Sequence, residues 1–301
     1  MNPAYLLISV FLSSVFPQPQ SLDFGSLAEA PPGSSLQVFG PGVISSEERE
    51  HSSLTISPDG SELYFTRQID GVNTILFMER SDGEWSEPRP APFNSDYLDD
   101  GTAFTPDGQR IYFGSRRPVD GGVEGKEDTD IWYVERTADG WSKAEHLGAP
   151  INTGSSEGYP FITRDGVMYF HSSRDTDRRN SEIYKAQMVG ERFSKPERLG
   201  LPINTDLYEA APYVDSERGF IAYFQADLRE TPIMGLRLSF QADDGSWSES
   251  IDLVEKLGLG ATDLLMVKGS PDGKYLFILD GGDIYWVDVA VLDSLRPGGN
   301  G

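Results

Sequence analysis

The chain has 301 residues, of which 38% are hydrophobic and 24% charged, so it has the apolar content of a folded protein rather than a disordered one. Its 25 Lys and Arg against 48 Asp and Glu give a formal charge of −23, which excludes nucleic acid and anionic lipid as favourable partners. It has no cysteine and only three scattered histidines, which excludes disulfides, thiol catalysis and zinc sites built on Cys or on HxxxH spacing.

The N-terminus begins with an apolar run at residues 4–16, followed by the Pro-rich stretch PQPQS. A run of this length is too short for an ordinary membrane span and is typical of the core of a signal peptide. We therefore expect residues 1–20 to be a signal peptide, with 21–301 a single domain of a periplasmic or secreted protein that has no membrane span once mature. A buried N-terminal segment or an uncleaved anchor remains the alternative, because no Lys or Arg precedes the run.

A repeated turn followed by an aromatic strand dominates the rest of the chain. Copies such as SPDGSELYFTR from Ser57, TPDGQRIYFGSR from Thr105 and SPDGKYLFILD from Ser270 share an acidic turn residue. The turn acids fall 48, 58, 52 and 55 residues apart, at Asp59, Asp107, Asp165, Glu217 and Asp272. This period suits one four-stranded blade of a β-propeller and is longer than most helical repeats.

Each copy reads as four short strands, so the sequence predicts an all-β, five-bladed propeller of four-stranded antiparallel blades. The fifth copy, from Ala261, lacks the outer strand that the others place around a Trp-Ser or Phe-Ser pair. We expect residues 35–45 to supply that strand and close the ring, which removes the exposed sheet edges. Six blades is the alternative. An aromatic residue recurs in the outer strands and is expected to pack between blades: Trp85, Trp141, Phe193 and Trp247.

The pattern SPDGxxLYF…R…DIYxV resembles the propeller repeat of TolB and of tricorn-protease-like proteins, a WD-repeat-like class, over roughly residues 35–297. Blade four departs from the pattern, because Glu217 and Arg218 interrupt its turn. The resemblance implies the propeller fold and export. It implies function only broadly, since the family includes binding scaffolds and lids on peptidases.

A second motif recurs in the loops between blades, where Asn is followed five residues later by an acid. The three copies are PFNSDYLDDGT, PINTGSSEGYP and PINTDLYEAAP, with Asn94, Asn152 and Asn204. The acids begin the inner strands, so we predict a ring at one mouth of the central channel consisting of Asp99, Glu157, Glu209 and Asp263, with His51 in blade one. Arginines at the ends of the second strands are expected on the same face, at Arg67, Arg116 and Arg174.

These residues allow two interpretations. In the first, each acid and arginine joins neighbouring loops while the Asn caps loop backbone, since Asn bonds locally and tolerates positive φ. In the second, the ring binds a polar ligand, and the protein is a monomeric binding or scaffold module for a cell-envelope protein, a peptide or a glycan. No G-x-S-x-G elbow is present, so a complete prolyl-peptidase-like enzyme is excluded.

A hydrolase is the alternative function. Five-bladed arabinanase-like propellers place carboxylates at the channel mouth, and Asp99, Glu157 and Glu209 would then be the catalytic group. We predict no cofactor, with Ca²⁺ at the channel mouth as an alternative because hard oxygen ligands are plentiful there.

Overall fold

The computed structural model describes residues 22–28, 30–45, 51–119, 124–176, 180–229, 233–259, 266–280 and 282–298. The predicted signal segment and Asp263 lie outside these residues. Within them, no helix is long and apolar enough to cross a membrane.

The first strand along the chain, β1 (Gln37–Val38), belongs to the last blade and follows a 3₁₀ turn at Gly25–Leu27. Blade one consists of β2 (His51–Ile56), β3 (Glu62–Ile69), β4 (Val72–Ser81), β5 (Glu84–Trp85) and β6 (Arg89–Pro90). Blade two consists of β7 (Asp99–Phe104), β8 (Arg110–Ser115), β9 (Asp130–Thr137), β10 (Gly140–Trp141) and β11 (Glu145–His146). In both blades the outer position is filled by two very short strands that pair with the third strand.

Blade three repeats this arrangement with β12 (Glu157–Ile162), β13 (Val167–Ser172), β14 (Glu182–Val189), β15 (Arg192–Phe193) and β16 (Glu197–Arg198). Blade four consists of β17 (Tyr208–Asp215), β18 (Phe220–Asp227), β19 (Ile233–Phe240) and β20 (Ile251–Asp252), and the short helix α1 (Leu253–Leu257) follows. Blade five contains β21 (Met266–Gly269), β22 (Tyr275–Leu279) and β23 (Ile284–Asp288), with a 3₁₀ helix at Val289–Leu295.

The ring is closed as predicted. Strand β1 pairs antiparallel with β23, with Gln37 opposite Trp286 and Val38 opposite Tyr285. The sheets that the structure describes are therefore five antiparallel blades, and the six-bladed alternative is wrong. The inner strands β2, β7, β12, β17 and β21 contact one another in turn and surround the central channel.

The hairpin turns after the inner strands explain the Pro-Asp-Gly signature. The turn glycine adopts positive φ in every blade, at Gly60, Gly108, Gly166, Gly219 and Gly273, a conformation that glycine reaches without steric cost. In blade two, Asp107 Oδ1 accepts from Thr105 Oγ1 at 2.6 Å and from the Gln109 amide at 3.0 Å. The acid and the glycine therefore have separate structural roles in one tight turn.

The hairpin turn of blade four is as long as those of blades one, two and five, but its glycine lies one position later and its bonding acid differs from the predicted one. Asp215 Oδ1 accepts from the Arg218 amide at 2.8 Å, whereas Glu217 pairs with Arg164 of blade three at 2.5 Å. In the sequence, Glu217 lies as far after Glu209 as Asp107 lies after Asp99 and Asp165 after Glu157. This equal spacing is why Glu217 was predicted to be the turn acid. Because the glycine comes one position later, the amide that needs an acceptor is that of Arg218, and Asp215 is the acid that reaches it.

The core lies between the blades, as the outer-strand aromatics predicted. Trp141 of blade two donates from its indole to the Tyr64 hydroxyl of blade one at 2.8 Å, and its ring packs under the guanidinium of Arg136. Phe193 of blade three packs against Tyr112 of blade two at a centroid distance of 6.0 Å. These contacts make each blade depend on its neighbour for burial of its apolar face.

Candidate functional site

The asparagines of the repeated loops form a clamp on the preceding blade. Each side-chain amide accepts from the backbone N–H and donates to the backbone C=O of one isoleucine in the third strand. The Asn204 amide does this to Ile183 at 2.7 and 2.8 Å, and Asn152 does it to Ile131 at 2.8 and 2.9 Å. Asn94 makes the same pair of bonds to Ile75. The clamp thus replaces ladder bonds that the interrupted outer strand leaves unmade.

The acid of each loop bonds back to the residue that follows the Asn. Asp99 Oδ2 accepts from the Ser95 amide at 2.6 Å, and Glu157 Oε2 accepts from the Thr153 amide at 2.9 Å. Glu209 Oε1 accepts from the Thr205 hydroxyl at 2.5 Å. The three acids have no solvent-exposed surface. Their observed role is therefore to close the loop. In the sequence, the Ser or Thr after each Asn indicates that the acid closes the loop. The spacing from Asn to acid does not indicate this by itself.

The arginines lie differently from the predicted set. Arg117 Nη2, not Arg116, bonds Asp99 Oδ1 at 2.8 Å, and the Arg116 side chain is exposed. Arg174 occupies the predicted place, with Nη2 at 3.5 Å from Glu157 Oε1. Arg67 is opposite His51 in the ladder, and its Nη2 donates to the carbonyls of Val43 and Ile44 in the N-terminal segment.

Burial dominates the electrostatics of the two glutamates. It raises the pKa of Glu157, although hydrogen bonds from Ser172 and Thr153 and the charge of Arg174 oppose the rise. Burial also raises the pKa of Glu209. In blade four, Gln225 donates to Glu209 at 3.0 Å, and the position that corresponds to Arg174 is Asp227. A hydrogen bond from the neutral amide of Gln225 thus takes the place that an arginine occupies beside the acids of blades two and three.

Two members of the predicted ring fall outside the part of the chain that the structure describes, namely Asp263 and the side chain of His51. Among the described residues no group of three acidic or histidine side chains is arranged to hold a metal ion. Ligand or Ca²⁺ binding by the ring stays a prediction.

A cavity of about 180 Å³ lies at the other end of the channel, where the inner strands end in hairpin turns. Every blade contributes to its lining: Thr55, Thr102, Phe161, Tyr213 and Lys268, in blade order. The rings of Phe161 and Tyr213 meet edge to face at 5.0 Å. The cavity therefore has an aromatic wall from blades three and four, whereas its polar lining includes residues of every blade.

Deeper in the channel, a polar cluster links blades two and three. Each inner strand of blades two to four has a bulge, and Tyr159 takes φ 48° there, an uncommon conformation for a bulky residue. Its hydroxyl donates to Asp100 Oδ2 at 2.7 Å, and its ring packs 5.5 Å from that of His171. Burial lowers the pKa of His171 to about 4, so this imidazole is neutral at physiological pH.

The residues of this cavity and cluster were not among those predicted from the sequence. Lys268 carried a signal, since it is a lone cation in the strand MVKG between apolar neighbours. Asp100 stands beside Asp99, and only the pleat of the strand decides that the two side chains point to opposite faces. The sequence around Tyr159 looks like that around any aromatic residue of a β-strand, so it gave no sign of this contact.

Solved propellers resemble this structure. TolB from Acinetobacter baumannii has a TM-score of 0.48 and 14% identity over 80% of this chain and 55% of that one. The tricorn protease has a TM-score of 0.48 and 11% identity over 81% of this chain and 26% of that one. An alpha-L-arabinofuranosidase from Lactobacillus brevis has a TM-score of 0.50 and 16% identity over 79% of this chain and 84% of that one.

No family model and no curated protein matches the sequence. This chain spans about half of the TolB structure's length. At such low identities the likeness concerns the fold alone. The predicted resemblance to TolB-like and tricorn-like propellers is confirmed at that level, and function has to be argued from the site.

Proposed function

We propose that the protein is a non-catalytic binding module, and that its ligand enters the central cavity on the face of the hairpin turns. The observation that carries this proposal is the convergence of all five inner strands on one cavity of about 180 Å³ with apolar and polar lining. Concave sites with an apolar wall and a few polar groups are where propellers and other rigid scaffolds bind small molecules. The face differs from the one that the sequence pattern favoured.

The geometry of the acids gives the hydrolase alternative no support. A glycosidase needs two carboxyl groups that reach the scissile bond of a bound sugar. Asp99, Glu157 and Glu209 are fully buried, and each accepts hydrogen bonds from its own loop. To reach a substrate they would have to break the hydrogen bonds that close their own loops.

The proposal includes that the protein is exported and that it binds a partner in the cell envelope. The apolar run at residues 4–16 supports export. Fractionation of cells that make the full chain would test this, and retention of the protein in the cytoplasm would contradict it.

Filling the cavity tests where the ligand binds. Thr55 is half-buried in the cavity lining, so Thr55→Phe should abolish binding of any small molecule found by a thermal-shift screen. Thr137→Phe, at an exposed position outside the lining, is the matched control and should leave binding unchanged. Binding that survives Thr55→Phe, or turnover of an arabinan or another polysaccharide by the wild type, would refute the proposal.

A further inference from the structure

Two residues of the cavity lining each have a buried polar atom that lacks a hydrogen-bond partner among the described residues. They are Nζ of Lys268, which is 5% exposed, and Oγ1 of Thr102, which is fully buried. An unpaired buried hydroxyl costs about 1–3 kcal/mol, and an unpaired ammonium costs more. Such groups are uncommon in the interior of a protein unless they have a function or a bound partner.

The nearby charges leave Lys268 as the available cation. Arg164, the other cation of the lining, is paired with Glu217 at 2.5 Å. Asp100 attracts Lys268 electrostatically, but its Oδ2 already accepts from Tyr159 at 2.7 Å and Asn73 at 3.0 Å, and its Oδ1 accepts from the Gly101 amide at 2.6 Å. Burial lowers the pKa of Lys268 to about 8, while Asp100 opposes the shift, so the ammonium stays mainly charged at neutral pH.

Size and charge restrict the anion that could join it. An apolar cavity of about 150 Å³ is known to hold benzene, so 180 Å³ has room for a body of that size. Phe161 and Tyr213 supply the apolar wall. Asp215 and Glu217 also line the cavity, and the chain carries a net charge of −23, so each further negative charge on the ligand would be repelled.

We propose that the cavity binds a small monocarboxylate with an apolar ring or branched body, whose carboxylate accepts from Lys268 and Thr102 while its body packs against Phe161 and Tyr213. This assignment rests on the proposed function, since it names the ligand class of the same cavity. A charge-assisted hydrogen bond in a buried site is stronger than a neutral one, and it would set the preference for an anion.

Three probes that share one ring test the assignment: benzoate, benzyl alcohol and benzylamine, titrated into the full chain by ligand-observed NMR. We expect benzoate to bind about tenfold more tightly than benzyl alcohol, and benzylamine not to bind. In Lys268→Met this preference should disappear. Lys268→Met should fold, because it replaces a buried ammonium that has no hydrogen-bond partner among the described residues by an apolar side chain of similar length. Thr102→Val, a near-isosteric change, should also weaken benzoate binding, but less than Lys268→Met does.

The outcomes separate this inference from the proposed function. Benzyl alcohol binding as tightly as benzoate, with both blocked by Thr55→Phe, would overturn the inference and leave the cavity as a binding site. Benzoate that keeps its preference in Lys268→Met would also overturn it. So would the absence of benzoate binding at millimolar concentration.

Discussion

Asp99, Glu157 and Glu209 hold the same position in three blades, yet their side chains have different partners. Asp99 accepts from Arg117 at 2.8 Å, and Glu157 lies 3.5 Å from Arg174. Glu209 instead accepts from the amide of Gln225. The acid therefore lies beside an arginine in blades two and three, whereas its partners in blade four are neutral side chains.

This difference predicts unequal costs of neutralising the acids. Asp99→Asn should lower the free energy of unfolding by about 3 kcal/mol, because it leaves Arg117, 13% exposed in its side chain, without its buried partner. Glu209→Gln should cost about 1 kcal/mol or less, because the amide oxygen of Gln can still accept from Thr205 and Gln225 and no arginine loses a partner. Urea denaturation at pH 7 measures both.

The double variant Asp99→Asn, Arg117→Met provides the control. It should recover part of the loss, because no unpaired cation remains buried. Equal losses for Asp99→Asn and Glu209→Gln would show that the ion pair adds nothing to the loop bonds.

At the scale of the element, the Asn clamp joins each inter-blade loop to the preceding blade. The outer strands β15 and β16 of blade three each have two residues, so the third strand β14 has few ladder bonds on that side. Asn204 supplies a donor and an acceptor to Ile183 and a further donor to the Leu199 carbonyl at 2.8 Å. One side chain therefore fixes the path of the chain from blade three to blade four.

Removal of this clamp should be costly. Asn204→Ala is expected to lower the free energy of unfolding by about 3 kcal/mol, since it removes the acceptor of the buried Ile183 N–H and two further hydrogen bonds, to the carbonyls of Ile183 and Leu199. Asn180→Ala is the matched control, because this half-buried Asn accepts a hydrogen bond from the adjacent Ser181 amide. A loss no larger than that of the control, in the same denaturation assay, would mean that the clamp is dispensable.

At the scale of the whole molecule, stability depends on closing the ring with a segment from the opposite end of the chain. Strand β1 completes blade five, and Phe39 beside it is fully buried against Phe24, Phe277 and Trp286, at centroid distances of 5.2, 4.9 and 5.5 Å. The Ser45 hydroxyl oxygen accepts a hydrogen bond from the Ile284 backbone N–H at 2.9 Å. The first and last parts of the propeller therefore fold as one unit.

Phe39→Ala should therefore destabilise the whole propeller rather than one blade. We expect a loss of about 3–5 kcal/mol, because a fully buried aromatic side chain is replaced by a cavity. Circular dichroism and tryptophan fluorescence should still give one coincident unfolding transition. Val189→Ala, at a position 67% exposed, should change stability by no more than about 0.5 kcal/mol. A separate early transition in Phe39→Ala would show that blade five unfolds independently.

The number of blades, the hairpin turns and the closing strand could all be predicted from the repeats along the chain. These features depend on local chemistry that recurs along the chain: a glycine at positive φ in each turn, alternating aromatic strands, and a last copy that lacks its outer strand. A repeat makes such signals readable, because each copy confirms the others. The Asn motif was readable for the same reason, although its partner in the preceding blade was not.

Which side chains meet depends on how the chain folds in three dimensions and could not be read from the repeats. Arg116 and Arg117 are adjacent, and the path of the chain beyond the end of β8 decides which one reaches Asp99. The cavity is likewise absent from any local pattern, since Thr102 and Lys268 are far apart in the chain and line one cavity only when the ring closes. That their polar atoms are buried with no hydrogen-bond partner among the described residues arises from packing across blades, and this is why the candidate site lies where the sequence did not predict it.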